Sequence, residues 1–372
     1  MAQITIDARK YFDFGIGTYI CRLTEGLARL RSSHSFRLLV APGDEKKIVP
    51  PVGWELEVVS YGKYSVSEFF LLGKRVKPKK GEWVFHSPHY TLPFGLEGRS
   101  VVTIHDLIHL RFPQFFSAAK RMYAYAMIGN AIREARFVIT DSEFTRRDVL
   151  RLFPVRADKL IAVHLGVSNK FRILAKTEKA NFKARHGLER PYILFVGNAK
   201  PHKGIPTLLH AFAQLSASFR EFDLVFVGGR PDQDDYIRAM LEATGIENRT
   251  KMLGNISGED LVRAYNCAEM LVMPSLYEGF GLPALEAMAC GLPVVVSDAG
   301  SLPEIVGDAA AICHAGNPDS LADSMESILR DPRLRGDLIE RGKRQVQKYS
   351  WKETAVKTLD IYEKVLAECD FR

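Results

Sequence analysis

A chain of 372 residues exceeds any single small binding module and, at roughly 100–200 residues per domain, predicts two domains. Hydrophobic residues make up 47% and charged residues 26%, which supplies packed cores and excludes a disordered chain. The formal charge is +7, but residues 1–172 hold 27 Lys+Arg against 16 Asp+Glu while the remainder holds 24 against 28, so the excess positive charge belongs to the first half.

The opening MAQITIDARK enters a strand-like alternation without the apolar core of a signal peptide, and no apolar run approaches the roughly 20 residues that span a bilayer. Cys21, Cys267, Cys290, Cys313 and Cys369 stand singly, with no CxxC pair. That pattern fits neither a disulfide framework nor a zinc site and predicts a reducing, cytoplasmic setting.

Short β-branched runs recur at Ile4–Ile6, Phe36–Val40, Trp83–Phe85, Val101–Ile104, Phe137–Ile139 and Ile161–Val163, most of them separated by helix-length intervals. A second series follows at Tyr192–Val196, Leu224–Val227, Met270–Met273 and Val294–Val296, with helical stretches such as Ile205–Leu215 between them. Parallel strands joined by crossover helices give this rhythm, so two doubly wound α/β domains are expected, residues 1–173 and 189–348. The polar, charged segment 174–188 reads as the linker. In the tail, Trp351, Ala355, Leu359, Tyr362 and Leu366 recur every three or four residues, the stripe of an amphipathic helix.

Ligands of open α/β sheets bind beyond the carboxyl ends of the strands, so the polar residues just after each predicted strand are the candidates. After the first comes Gly15-Ile16-Gly17, a glycine pair too short to be specific; it continues Thr-Tyr-Ile and so lacks the GxGxxG of a dinucleotide-dependent oxidoreductase. After a later strand comes Thr103-Ile-His105-Asp106. His86, His89, His105 and His109 lack the carboxylate or cysteine cluster that would complete a metal site, and none is expected.

In the second half, Phe195-Val-Gly-Asn198-Ala-Lys200-Pro-His-Lys203-Gly places a glycine turn and a lysine after a strand, an arrangement able to neutralise a phosphate. Lys251-Met252-Leu253-Gly254 is a short strand entering a glycine loop. The most informative stretch is Met273-Pro-Ser-Leu-Tyr-Glu278-Gly279-Phe280-Gly281-Leu282-Pro-Ala-Leu-Glu286, read as strand, glycine turn and helix. Pro283 suits a first helical turn, and the N–H groups exposed at a helix start favour an anion such as a diphosphate. Two carboxylates beside an anion are awkward unless they bind neutral hydroxyls, which points to a sugar or ribose.

Glu278 and Glu286 with seven residues between them, in EGFGLPALEAMACGLPVVVSDAGSLPEIVGDAA, resemble the E-x7-E signature of retaining glycosyltransferases of the GT-B fold, family 4. The resemblance covers essentially the whole chain. It implies two Rossmann-like domains facing a central cleft, with the tail 349–372 crossing back to the first. It also implies a hexosyltransferase that moves a sugar from a nucleoside-diphosphate donor with retention, without metal or cofactor. Pro201-His202-Lys203 is similar to mannosyltransferases and leans toward GDP-mannose. His105, Lys203 and Glu278 are the implied catalytic residues. Gly15, Gly17, Asn198, Lys203, Met252, Leu253, Glu278, Gly279, Phe280, Gly281, Leu282 and Glu286 are the implied donor contacts, with Glu286 on the ribose and Met252–Gly254 beside the base.

One departure stands out: Asn198 occupies a position where many relatives have arginine, and Lys200 or Arg230 is the expected substitute. The acceptor implied is a glycan or a lipid-linked molecule, in surface polysaccharide or glycolipid synthesis. The basic first half, with Lys74, Arg75, Lys77, Lys79 and Lys80 after Phe69-Phe-Leu-Leu and Lys120-Arg121 after Phe112, Phe115 and Phe116, suggests peripheral contact with anionic lipid at the inner face of the membrane. No nucleic-acid motif accompanies the basic charge, and no nucleic-acid partner is expected. A protein that binds nucleotide sugars on the same fold without turnover is the alternative.

Overall fold

The computed structural model describes residues 1–61, 66–78, 81–96, 98–229 and 231–369, in two compact units. The first comprises Met1–Gly166 and Ser350–Arg372, the second Val167–Tyr349.

In the first unit, β1 (Gln3–Asp7), β2 (Ser35–Val40), β3 (Glu55–Val58), β4 (Trp83–Ser87), β5 (Ser100–Ile104), β6 (Phe137–Thr140) and β7 (Leu160–Ala162) form one parallel sheet in the order β3-β2-β1-β4-β5-β6-β7. The strands next to the reversal of winding are β1 and β4. Both faces are covered, so β4, β5 and β6 are buried along their whole length, as uninterrupted apolar runs require. On one face Phe85, Val102, Ile104 and Val138 pack with Leu72, Ile128, Ile132 and Val149 from helices.

The tail is the helix Trp351–Cys369, which lies along the helix Phe14–Arg29 of the same unit. Close approach depends on two glycines: a Cβ on Gly26 would lie 2.8 Å from Ala355 Cβ, and one on Gly166 would lie 2.0 Å from the Trp351 nitrogen. Ala355, Tyr362 and Leu366 of the apolar stripe are buried, and Trp351 and Leu359 are half-buried. Thr354 and Thr358 are fully buried beside them; their hydroxyls bond back to the carbonyls of Ser350 and Thr354, and Thr354 also reaches His164 O at 2.8 Å.

The second unit holds β8 (Tyr192–Gly197), β9 (Asp223–Gly228), β10 (Thr250–Gly254), β11 (Met270–Met273), β12 (Val294–Ser297) and β13 (Ala311–Cys313), parallel in the order β10-β9-β8-β11-β12-β13. Here the winding reverses between β8 and β11. Phe195, Phe226, Met270 and Val272 form its core with Leu208, Phe212, Leu321 and Met325.

The boundary differs from the expected one. Residues 174–188 contain the helix Lys176–Arg185, which belongs to the second unit, and Phe182 and Leu188 are buried there. The segment reads as a linker in sequence because charged, small and neutral polar residues surround its few large apolar side chains. Its entry is fixed by the buried Asn266, whose Oδ1 accepts the Leu174 N–H at 2.8 Å and whose Nδ2 donates to Arg172 O at 2.9 Å.

Candidate functional site

In the second unit the candidate residues gather at the carboxyl ends of β8 and β11, the position that winding reversal opens to ligands. After β8, a single 3₁₀ turn Pro201–Lys203 carries Lys203, and Gly204 follows with φ +68°. A Cβ there would lie 2.1 Å from the Pro274 carbonyl oxygen, and the Leu276 N–H donates to His202 O at 2.7 Å. These two constraints hold the turn against the loop leaving β11. Lys203 Nζ consequently lies 2.7 Å from Glu278 Oε1, which also accepts from the Ser275 hydroxyl at 2.7 Å. Burial alone would raise the Glu278 carboxyl, but Lys203 and Ser275 outweigh it and hold it below the usual carboxylate range.

The backbone of Glu278 is clamped as well. Its carbonyl accepts the Ser301 N–H at 3.0 Å and the Ser301 hydroxyl at 3.1 Å. Gly300, at φ +66°, lies so close that a Cβ would sit 2.6 Å from both Glu278 N and O. Ser275, Gly300 and Ser301 were not singled out from sequence, although all three lie within or just beyond the glutamate-rich stretch.

Gly281 (φ +104°) precedes the helix Leu282–Ala289, with Pro283 in its first turn. Glu286, on this helix, accepts from the Tyr265 hydroxyl at 2.9 Å. Tyr265 is fully buried, and burial together with the Glu286 charge raises its phenol, which stays a donor. The two glutamates thus have separate anchors. The Phe280 ring is buried edge-on to Tyr349, with centroids 5.8 Å apart, so only its backbone is available to a ligand. Leu282 is partly exposed.

Asn198 is partly exposed, yet its Oδ1 is buried and accepts no hydrogen bond. The β8 and β9 ends are closely apposed here, with Gly229 N–H bonded to Gly197 O at 2.8 Å. Lys200 is exposed, and Arg230 lies outside the described residues. Met252 packs its side chain on the core, while the β10 register shifts between Met252 and Gly254, setting Leu253 out of the ladder.

In the first unit, Gly15 and Gly17 are not a loop. They lie in the first turns of the helix Phe14–Arg29, because the Gly17 N–H bonds to Asp13 O at 2.6 Å. Gly17 is required there by the chain itself: a Cβ would lie 2.2 Å from the Tyr11 carbonyl oxygen. Gly15 has open space around it.

His105 follows β5. Its Nδ1 lies 2.7 Å from Asp141 Oδ2, and its Nε2 lies 3.0 Å from the Pro88 carbonyl oxygen. Burial would lower this imidazole, but the Asp141 charge and the two hydrogen bonds outweigh it and raise it above the usual histidine value. The adjacent Asp106 instead accepts the Ile108 N–H at 3.1 Å. Nearby, the fully buried His86 bonds Tyr362 OH at 2.6 Å and Thr103 Oγ1 at 2.8 Å; burial, reinforced by His105, pushes its pKa down to about 3 and keeps it neutral. Among the described residues, no group of three or more His, Cys, Asp or Glu is arranged to hold a metal ion.

Two family models match the chain: "Glycosyl transferases group 1" over residues 176–345 and "Glycosyltransferase Family 4" over residues 15–171. O-antigen chain mannosyltransferase B of Escherichia coli is 32% identical over 283 residues, spanning 76% of this chain and 74% of that one. Other curated relatives are matched over 34% to 59% of their length. Sucrose-phosphate synthase from Thermosynechococcus elongatus superposes with a TM-score of 0.79 at 23% identity, covering 99% of this chain and 100% of that one. Anabaena Alr3699/HepE in complex with UDP-glucose gives 0.77 at 18% identity, covering 97% and 99%.

Proposed function

Because the chain belongs to the group 1 glycosyltransferases of family 4, with the GT-B fold, we propose that it transfers a hexose from a nucleoside-diphosphate sugar with retention of configuration. The observation that carries this reading is the Lys203–Glu278 pair clamped at the carboxyl ends of β8 and β11, beside the helix bearing Glu286. The mannosyltransferase relative supports GDP-mannose as donor, and the HepE complex supports a nucleotide sugar as the donor class.

In the proposed reaction the bond from the sugar's anomeric carbon to the diphosphate oxygen breaks and a bond to the acceptor oxygen forms on the same face. The acceptor's proton passes to the departing diphosphate, so no protein nucleophile and no metal are needed. Lys203 leaves Glu278 for the diphosphate, where a preplaced cation stabilises the growing charge. Glu278, relieved of its lysine, accepts from sugar hydroxyls; Glu286 accepts from the ribose; His105 contacts the transferred sugar.

The acceptor is proposed to be a glycan or lipid-linked molecule of surface polysaccharide or glycolipid synthesis, reached from a membrane surface. Phe70 and Leu71 are exposed beside Lys74 and Arg75, and Met122, Tyr123 and Tyr125 are exposed beside Lys120 and Arg121, which supports peripheral contact. Phe69 and Leu72, by contrast, are buried, and Lys79 and Lys80 lie outside the described residues. No helix among the described residues is long and apolar enough to cross a membrane. Incubation with GDP-mannose and a mannoside acceptor, following GDP release and product anomericity, tests the reading. Retained stereochemistry and a product dependent on Lys203 support it; an inverted product overturns the retaining mechanism, and tight donor binding without turnover by any acceptor leaves the non-catalytic alternative.

A further inference from the structure

We propose that Asp141 is the positioning residue that fixes His105 as a doubly protonated imidazolium, so that His105 meets the transferred sugar as a hydrogen-bond donor and never as a base. This rests on the proposed role of His105 and adds its protonation state and the group that sets it.

Both ring nitrogens face acceptors: Asp141 Oδ2 at 2.7 Å from Nδ1 and the Pro88 carbonyl at 3.0 Å from Nε2. A carbonyl oxygen cannot donate, and an ionised carboxylate cannot either, so the ring satisfies both only by carrying two protons. Asp141 is buried, and its second oxygen, Oδ1, is buried and accepts no hydrogen bond, which leaves the imidazole on Oδ2 as the carboxylate's hydrogen-bond partner. The surroundings are fixed on every side. From β4, His86 is neutral; from the helix Phe14–Arg29, the Tyr19 ring stands edge-on to His105 with centroids 5.0 Å apart; next in sequence, Asp106 adds negative charge while capping Ile108; from the helix after β6, the Thr145 hydroxyl donates to the His105 carbonyl at 3.4 Å.

A ring held in this way has no lone pair with which to take a proton from an acceptor hydroxyl. Its Nε2–H, resting on the Pro88 carbonyl, is the one a sugar hydroxyl oxygen would share. Asp141 sets which proton is where and which way the ring points, as the carboxylate partners of functional histidines do elsewhere.

Histidine-labelled protein examined by 15N and 13C NMR reads the state directly. In the unsubstituted protein at pH 7.5, His105 is expected to show two bonded protons; a neutral ring there overturns the proposal whatever the variants do. In Asp141→Asn the ring is expected to be neutral at the same pH, with kcat for GDP-mannose turnover reduced about tenfold at pH 8.5, the alkaline limb of the kcat profile shifted downward, donor KM little changed, and partial recovery in Asp141→Glu. An unshifted limb with a full complement of protons on His105 also overturns it. If no protein turns over GDP-mannose, the NMR still decides the pairing, and the failure falls on the activity assigned to the chain.

Discussion

At Lys203 and Glu278 the sequence places a cation and a carboxylate 75 positions apart, and the fold brings them to 2.7 Å. The pair is an internal neutralisation, which in the proposed reaction a diphosphate displaces. Lys203→Ala is expected to lower kcat by about 10²–10³-fold, the scale seen when one preplaced charge-stabilising donor is removed, and Glu286→Ala chiefly to raise the donor KM; steady-state kinetics on both variants separate the two effects. Gly300→Ala tests the clamp on Glu278. With φ +66° and no room for a Cβ beside the Glu278 backbone, it is expected to weaken donor affinity and to lower Tm, at a cost of about 1–3 kcal/mol. Unchanged donor affinity would detach the clamp from the site. The E-x7-E spacing made the glutamates legible, because it lies within one strand–turn–helix segment. Asp141, Tyr265 and Ser275 were not legible as partners. The first two reach their site residues across 36 and 21 positions, and pairing at that separation is decided by which strands and helices become neighbours. The signal for Asp141 was nevertheless present, since it follows a strand-like run just as His105 does.

At the level of elements, the buried strands announced themselves as short unbroken apolar runs. β3 and β13 did not: β3 is an edge strand of sequence Glu-Leu-Glu-Val with its glutamates partly or fully exposed, and β13 has only three residues. The helix Lys176–Arg185 was mistaken for a linker because a charged helix needs only one or two buried anchors, here Phe182 above all. The glycines at 15 and 17 show how little a short glycine pair specifies, since Gly17 serves the close approach of the Tyr11 backbone to a helix start while Gly15 faces open space. The tail helix was legible as a stripe, but its register is set by Tyr362 on His86. Tyr362→Phe leaves the buried His86 Nδ1 without a partner and is expected to cost about 1–3 kcal/mol, read as a lower urea midpoint with donor affinity intact. An unchanged midpoint would show that the helix is held by packing alone.

For the whole molecule, two histidines of the first unit give opposite pH dependences. His86 has a pKa lowered to about 3, so as pH falls from about 6.5 toward that value the unfolded chain takes up a proton the native one refuses, and stability is lost. His105 is raised, so its contribution is complete below about 6.5 and is lost as pH rises through its native value. Urea unfolding across pH is therefore expected to show a decline on the alkaline side, which lowered carboxylates such as Glu278 do not produce, and Asp141→Asn is expected to flatten it. In the proposed function a nucleoside-diphosphate sugar is held at the carboxyl ends of β8 and β11 by Lys203, Glu278 and Glu286. Titration calorimetry with GDP-mannose, without added divalent metal, is then expected to show saturable binding weakened at least about tenfold by Glu286→Ala, a loss of about 1.4 kcal/mol or more; binding of equal strength in the folded variant rules that site out.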